Sequence, residues 1–160
     1  MSAPPESREP RPPVVVLWHP RERLSKCTLA PLRGRPDIQH RFLGPSERFD
    51  AAGFSILALT GPVIGPPDRE RGLLVPDATW RHLPYLEARI SGGQPRSLPA
   101  ELRTAYPRRS KRFEDPSRGL ASVEALFAAL CLMGLRDETL LAHYHWAREF
   151  LELNADLLGR

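Results

Sequence analysis

An acid, a hydroxyl and a large aromatic side chain stand close together between Asp77 and Trp80, in the sequence Asp-Ala-Thr-Trp. The apolar run 73–76 precedes them and an amphipathic segment follows, so a short strand gives way to a helix here. In an open α/β sheet, ligands bind at the carboxyl ends of strands, near the free N–H groups of helix starts. Asp77 and Trp80 are therefore candidate ligand-binding residues. The alternative is that Asp77 or Thr79 caps the helix and Trp80 belongs to the core.

A second candidate is the basic stretch 103–118, in which cations alternate with Tyr106 and Phe113. Its cations are Arg103, Arg108, Arg109, Lys111, Arg112 and Arg118. Arginine binds phosphate through a planar fork, and aromatic rings stack on unpaired bases. The stretch is thus the best candidate for binding a nucleic acid, RNA or DNA, in a chain whose net charge is +4. The alternatives are a solvated loop with both rings turned inward and, for the preference for arginine, genomic codon bias.

Other kinds of chemistry find no support in the residue patterns. Cys27 and Cys131 have no metal-ligand spacing, so neither a zinc site nor a disulfide framework is predicted. No phosphate loop and no Ser-His-Asp or Cys-His arrangement can be argued from order or spacing. The longest apolar run, 120–135, is too short to span a bilayer, and the N-terminus lacks a signal-peptide core. We therefore expect a cytoplasmic protein that does not associate with membranes.

The pattern of apolar residues predicts that a buried, mostly parallel α/β sheet positions these candidate residues. Residues 1–13 are too polar to fold and predict a disordered tail. Apolar runs predict strands at 14–18, 38–43, 54–59 and 73–75. Helical segments are predicted at 25–32 and 68–71 and a longer one at 80–89, which Pro84 confines or kinks, with a turn at 91–95.

The chain beyond residue 119 is predicted to be helical. Ser122 predicts the cap of a helix that is apolar around most of its circumference and ends at Gly134. Asp137 begins a long predicted helix with two adjacent apolar stripes, and His143 and Asn154 fall within its buried arc. A buried amide needs hydrogen-bond partners, so Asn154 is predicted to be structural.

Six separated segments together resemble one known family. They are Ser25-Lys26-Cys27-Thr28, Pro66 to Glu70, Asp77 to Trp80, Leu98-Pro99, Leu120 to Leu126, and Trp146 to Asn154. In order and approximate spacing, over about Val14 to Leu158, the chain resembles the small-subunit rRNA aminocarboxypropyltransferases. More distantly, it is similar to the DTW-domain uridine aminocarboxypropyltransferases of tRNA.

The resemblance implies a SPOUT-like α/β fold, in which a mostly parallel sheet carries a deep trefoil knot and a C-terminal helical part completes the site. The expected division is a tail at 1–13, a domain that binds S-adenosylmethionine (SAM) at 14–99, and a loop with helices at 100–160. The implied reaction transfers the 3-amino-3-carboxypropyl group of SAM to N3 of a modified uridine in small-subunit rRNA, without a metal. The implied partner is small-subunit rRNA or a pre-ribosomal subunit, and we expect a monomer.

The family's functional residues carry over to individual positions of this chain. Those implied to bind SAM are Thr28, Leu57, Leu59, Pro76, Trp80, Leu83, Leu98, Arg118, Leu120, Ser122 and Ala125. Thr28 and the N–H of Ser122 would hold the carboxylate of the amino-acid arm, Pro76 would meet the ribose, and Arg118 would offer its carbonyl to the adenine amino group. Leu98, Leu120 and Ala125 would sandwich the adenine, with Leu57 and Leu59 nearby. Trp80 with Leu83 would enclose the methyl group, and Asp77 would accept the N3 proton.

The chain departs from the family pattern in three places. His19-Pro20 replaces the usual Asp-Pro, Pro31 replaces a basic residue, and the loop beginning at Tyr106-Pro107 replaces an Asn-Pro-Val-Asn-Tyr-Gly segment. The departures concern the RNA-facing surface more than the SAM scaffold. Three alternatives therefore stay open: the same transfer to tRNA, methyl transfer, and a non-catalytic RNA-binding ribosome assembly factor.

Overall fold

A computed structural model describes residues 12–23, 27–79, 81–107 and 119–159 of the chain. Its main feature is a five-stranded sheet in the order β2-β1-β5-β4-β7, with every neighbouring pair parallel. The strands are β1 (Val14–Trp18), β2 (Ile38–Phe42), β4 (Phe54–Leu57), β5 (Gly72–Asp77) and β7 (Gln94–Arg96). Two short strands, β3 (Phe49–Asp50) and β6 (Ile90–Ser91), pair with each other. The fold is therefore mixed α/β with a parallel sheet, as predicted.

The centre of the sheet is formed by the two most apolar strands, β1 and β5. All five residues of β1 are buried, because side chains on both of its faces enter hydrophobic cores. Val14, Val16 and Trp18 pack in the larger core, whereas Val15 and Leu17 pack in the smaller one. The strands predicted at 14–18 and 73–75 are thus confirmed.

The two cores lie on opposite faces of the sheet, and helices cover each of them. The larger core contains α2 (Ser122–Leu132) and includes Phe150 of α3 (Ala147–Leu153). The smaller core contains Leu86 of α1 (Leu83–Glu87). Short 3-10 helices lie at Ala30–Leu32, Pro66–Glu70 and Glu138–Leu141, and α4 (Ala155–Leu158) follows α3. Among the described residues, no helix is long and apolar enough to cross a membrane.

The parallel register aligns the carboxyl ends of three strands. Trp18 at the end of β1 is paired with Phe42 at the end of β2 and with Asp77 at the end of β5. Because the strands are parallel, the segments that leave them emerge at one edge of the sheet. The structure therefore places Asp77 at a carboxyl edge, as the sequence predicted.

The middle of the chain differs from prediction in several places. The helix expected over 80–89 begins only at Leu83, because Pro84 fits the first turn, where its missing N–H has no helical partner to lose. The turn expected at 91–95 contains the end of β6 and the start of β7. Strand β4 ends at Leu57, and the side chain of Leu59 is 74% exposed. Residues 1–11 of the predicted tail lie outside the described residues, but Pro13 accepts a hydrogen bond from the Leu73 N–H.

The C-terminal helices also depart from the predicted pattern. Helix α2 ends before Gly134, which has a φ of +81° and stops the helix as expected. Asp137 caps only the 3-10 helix 138–141, and the long helix predicted after it is wrong. The interruption falls at 142–146, where His, Tyr, His and Trp are poor helix formers and hydrogen bonds take the three-residue spacing of 3-10 turns. His143 is exposed and not buried as predicted.

The buried carboxylate of Asp68 links strands β4 and β7 to the 3-10 helix 66–70. Asp68 is 5% exposed and accepts hydrogen bonds from Ser55 Oγ of β4, from the Gly65 N–H and from Arg96 Nε of β7. Burial alone raises the pKa of Asp68, but these donors outweigh it, so the pKa lies below its usual value. Asp68 therefore ties the 3-10 helix 66–70 to the sheet.

We predict that Asp68→Asn lowers the free energy of unfolding by about 3 kcal/mol, because it leaves Arg96 without its buried charged partner. A carboxylate with a lowered pKa stabilises the fold above its unfolded pKa of about 3.9 and loses that contribution as pH falls. The variant should therefore show a weaker loss of stability on acidification. Urea unfolding across pH, with the exposed Glu87→Gln as control, measures both effects. Equal stability of the two variants would contradict the assignment.

Candidate functional site

Asp77 binds three side chains from three parts of the chain. Its Oδ2 accepts hydrogen bonds from Trp18 Nε1 at 2.7 Å and from Cys27 Sγ at 2.9 Å, and its Oδ1 accepts one from Ser122 Oγ. We call these four residues the Asp77 junction. The carboxylate is 8% exposed. Asp77 thus fastens the end of β1, the turn at Cys27 and the start of α2 to the end of β5.

The sequence explains why this junction forms. Trp18 is fully buried, and a buried indole N–H requires an acceptor. The register places Trp18 directly beside Asp77 on the neighbouring strand. Ser122 is the first residue of α2, and Ala121 takes the N-cap position that was predicted for Ser122. Because Ser122 is not needed as the cap, its hydroxyl is available to Asp77.

The start of α2 also contacts the turn that carries Thr28. The Val123 N–H donates to Thr28 Oγ1 at 3.0 Å, so the threonine hydroxyl keeps its proton for another acceptor. Within the described part of the chain, the N–H of Ser122 has no hydrogen-bond partner. Helix starts attract anions because their N–H groups and dipole are positive. Thr28 and Ser122 can therefore present two donors to one carboxylate.

The cysteine of the junction is held as a thiol. Burial raises the pKa of Cys27, and the neighbouring Asp77 carboxylate raises it further, to about 12. Burial, together with Asp77, also raises the pKa of Glu22. Thiolates are the reactive form of cysteine, so Cys27 is a hydrogen-bond donor here and not a nucleophile.

The apolar residues predicted to bind SAM share one region only in part. Leu57, Leu98 and Leu120 are half-buried and pack on the larger core, which contains α2. Ala125 of α2 and Pro76 of β5 are also half-buried. Leu59 is largely exposed and is absent from this group. Leu83 is half-buried at the start of α1, whereas Trp80 and Arg118 lie outside the described residues.

Two buried polar side chains anchor the start of the predicted RNA-binding stretch. Asn154 accepts from the Arg103 N–H and donates to the carbonyls of Arg103 and Phe150, which confirms its predicted structural role. Glu124 is fully buried and accepts from Thr104 Oγ1 and from the Ala105 N–H. It also accepts from the Ala121 N–H, so it holds the described residues on both sides of 108–118.

Of the predicted RNA-binding residues, the structure describes only one. Arg103 is exposed at the anchored start of the stretch. The others, Arg108, Arg109, Lys111 and Arg112, lie outside the described residues. The anchors fix the described start of this stretch, at Arg103 to Ala105.

Sequence reasoning missed two features of the site. Trp18 was assigned only to a strand, although a strand-end indole that needs an acceptor predicts a nearby polar partner. His19, which follows it, is 8% exposed and stacks on His82 with ring centroids 3.9 Å apart. Burial and then His82 lower the pKa of His19, so it is neutral near pH 7. The stack ties the segment after Asp77 to the end of β1.

Two further features of the described residues do not point to a functional site away from Asp77. In the part of the chain that the structure describes, no three His, Cys, Asp or Glu side chains form a cluster that could hold a metal ion. A surface pocket near the C-terminus contains none of the predicted site residues. It is lined by Arg136, Glu138, Leu151, Glu152, Ala155 and Gly159.

Comparison with known proteins gives two matches. A family model described as "Ribosome biogenesis protein, C-terminal" matches residues 60–160, which include β5, α1 and α2. Among solved structures, the chain is similar to the SAM-dependent rRNA:acp-transferase Tsr3 from Vulcanisaeta distributa, with 25% sequence identity and a TM-score of 0.68. That similarity covers 92% of this chain and 82% of the other.

We predict that iodoacetamide at pH 8 leaves Cys27 unmodified in the folded protein, because its thiol stays protonated. Asp77→Asn removes the negative charge that raises the pKa and should accelerate alkylation, measured by peptide mass spectrometry. Cys131, whose pKa burial raises to about 11, is the internal control. Since unfolded thiols ionise near pH 8.5, stability should also fall as pH rises above that value. Alkylation of folded Cys27 at the unfolded rate would contradict the junction.

Proposed function

The chain belongs to the family of ribosome biogenesis proteins that act as small-subunit rRNA aminocarboxypropyltransferases, and from that premise we propose its reaction. It transfers the 3-amino-3-carboxypropyl group of SAM to N3 of a uridine in small-subunit rRNA. The observation that carries the proposal is the similarity over 92% of the chain to a SAM-dependent rRNA:acp-transferase. The Asp77 junction supports it, because Asp77 holds Ser122 and Cys27, and the Val123 N–H that follows Ser122 donates to Thr28; the resemblance assigns Thr28 and Ser122 to the same part of SAM.

Thr28 and Ser122 bind the carboxylate of the amino-acid arm in this proposal. The hydroxyl proton of Thr28 and the Ser122 N–H are both available, and α2 is 11 residues long, with its positive end at this point. The contact between Val123 and Thr28 fixes the two donors relative to each other. These residues fit an anionic group and orient the arm from one end.

The half-buried leucines form the proposed adenine site. Leu57, Leu98 and Leu120 would contact the base together with Ala125, and the backbone at Pro76 would meet the ribose. Leu59 and Leu83 stay predicted contacts; the exposed side chain of Leu59 has apolar surface that a bound base would cover. The enclosure of the methyl group by Trp80 and the carbonyl contact of Arg118 also stay predictions.

SAM supplies an electrophilic carbon next to its sulfonium. Uridine N3 forms the new bond to that carbon as the carbon–sulfur bond breaks, the sulfur keeps the electron pair, and the N3 proton must leave. An ionised carboxylate offers about four acceptor positions, and three on Asp77 are used by Trp18, Cys27 and Ser122. We propose that the remaining position, on Oδ1, takes the N3–H. Asp77 would then have two roles: it holds Ser122, which binds the amino-acid arm, and it accepts the N3 proton.

The resemblance extends the proposal to the SPOUT trefoil knot, a C-terminal helical part that completes the site, a monomer, the cytoplasm and a reaction that needs no metal. An all-parallel sheet in the order β2-β1-β5-β4-β7 is compatible with such a fold. Sedimentation of the purified protein tests the monomer. Undiminished transfer in the presence of a chelator tests the absence of a metal requirement.

We predict that small-subunit RNA acquires the carboxyl label, and not the methyl label, from SAM labelled separately in the two groups. Fractionated small-subunit rRNA and tRNA are the two substrate arms, followed by nucleoside analysis. Label on tRNA alone would move the target to tRNA. Methyl label would make the protein a methyltransferase, and binding of rRNA without transfer of either label would make it an assembly factor.

We predict that Thr28→Val weakens SAM binding by about tenfold or more, because it deletes a hydrogen bond to a charged group. Thr28→Ser keeps the hydroxyl and is the matched control. Isothermal titration calorimetry measures both variants. If Thr28→Val binds SAM as tightly as Thr28→Ser, the carboxylate does not bind at Thr28.

A further inference from the structure

An aromatic side chain is exposed at the same edge of the sheet as Asp77. Phe42 ends the edge strand β2 and is 39% exposed. Phe42, Trp18 and Asp77 are successive partners at the last register position of β2, β1 and β5. Two strand spacings separate Phe42 from Asp77, which is a backbone distance of about 10 Å. An exposed ring therefore lies within reach of a nucleotide next to one bound at Asp77.

The orientation of this ring is fixed by its neighbours. Phe42 contacts Trp18 with ring centroids 5.1 Å apart, and Trp18 also contacts His40 at 4.8 Å. Trp18 is in turn held by Asp77. A preorganised ring loses little conformational entropy when a base stacks on it. The same contacts connect the ring directly to the Asp77 junction.

Exposed arginines lie over Trp18 and in the segment that follows β1 at the same edge of the sheet. The guanidinium of Arg33 lies over Trp18, 5.7 Å from the ring centroid, and Arg21 and Arg23 follow β1 in the turn that leaves the same edge. All three arginines are exposed, and none forms an ion pair within the described residues. Glu22 stands between two of them but is partly buried, and its pKa is raised. These three arginines therefore give this part of the edge an exposed positive charge.

We infer that Phe42, Arg33, Arg21 and Arg23 form a docking surface for single-stranded RNA, which we call the Phe42 surface. Phe42 stacks on a base that flanks the target uridine, and the arginines contact the adjoining phosphates. Cations that contact phosphates and an exposed aromatic ring that stacks on bases are the combination that binds unpaired nucleotides. The inference rests on the proposed function, because that function places the target uridine at Asp77. It adds a second RNA-binding surface to the one predicted for the stretch 103–118.

The test compares Phe42→Ala with Phe42→Trp, which keeps a stacking ring. Fluorescence anisotropy measures binding of a short labelled oligouridylate, and calorimetry measures SAM binding by the same samples. Loss of one stacked base weakens RNA binding by about 5- to 150-fold, which corresponds to about 1–3 kcal/mol. Phe42→Trp should bind RNA as the unmodified protein does, and both variants should bind SAM normally. Leu157→Ala, which alters an exposed apolar residue of α4 (41% exposed), is the control.

Charge removal provides an independent measurement. Arg33→Ala should reduce the slope of log affinity against log salt by about one unit, since one phosphate contact is lost. Unchanged RNA affinity in Phe42→Ala, or equal losses in Phe42→Ala and Leu157→Ala, would overturn the Phe42 surface. Label transfer by the unmodified protein separates the two proposals. If the unmodified protein transfers the label and Phe42→Ala binds RNA with unaltered affinity, only the Phe42 surface is rejected. RNA binding that depends on Phe42, without label transfer, rejects only the reaction.

Discussion

The structure depends on one buried carboxylate that must be satisfied by hydrogen bonds. Asp77 ends the central strand β5 at 8% exposure, and such a charge costs several kcal/mol unless donors surround it. Trp18, Cys27 and Ser122 provide those donors from a strand, a turn and a helix. Satisfying the charge therefore assembles three parts of the chain at the carboxyl edge of the sheet. The candidate site is built from what this requirement brings together.

Two further buried polar residues, Glu124 and Asn154, fix the start of the basic stretch 103–118. Glu124 lies in the first turn of α2, and its carboxylate fixes the backbone at Ala105 and at Ala121. Asn154 fixes Arg103, at the start of the basic stretch, from the C-terminal helices. Helix α2 thus connects Ser122, which contacts Asp77, to Glu124, which contacts Thr104 and Ala105. Donor binding and RNA binding are proposed to depend on one rigid element.

The sequence predicts the centre of this fold better than its periphery. Strands β1 and β5 are recognisable because continuous apolar runs suit a sheet that is covered on both faces. Strands β3 and β6 have two residues each, too few to show a period. The helix expected after Asp137 breaks because local aromatic and histidine residues outweigh its apolar stripes.

The candidate site, too, could be predicted from the sequence only in part. Resemblance indicates which residues belong to it, but the role of Trp18 depends on register between two strands that are far apart in the sequence.

The central claim is that Asp77, which binds Ser122 and also Cys27 next to Thr28, keeps Thr28 and Ser122 in place for the carboxylate of SAM. A double-mutant cycle of SAM affinity tests this claim most directly. Calorimetry compares Thr28→Val, Asp77→Asn and the double variant. If Asp77 acts through Thr28, the double variant loses no more affinity than the more damaging single change, with a coupling of about 1 kcal/mol or more. Losses that add to within about 0.5 kcal/mol would contradict the claim, because they would show two independent contributions.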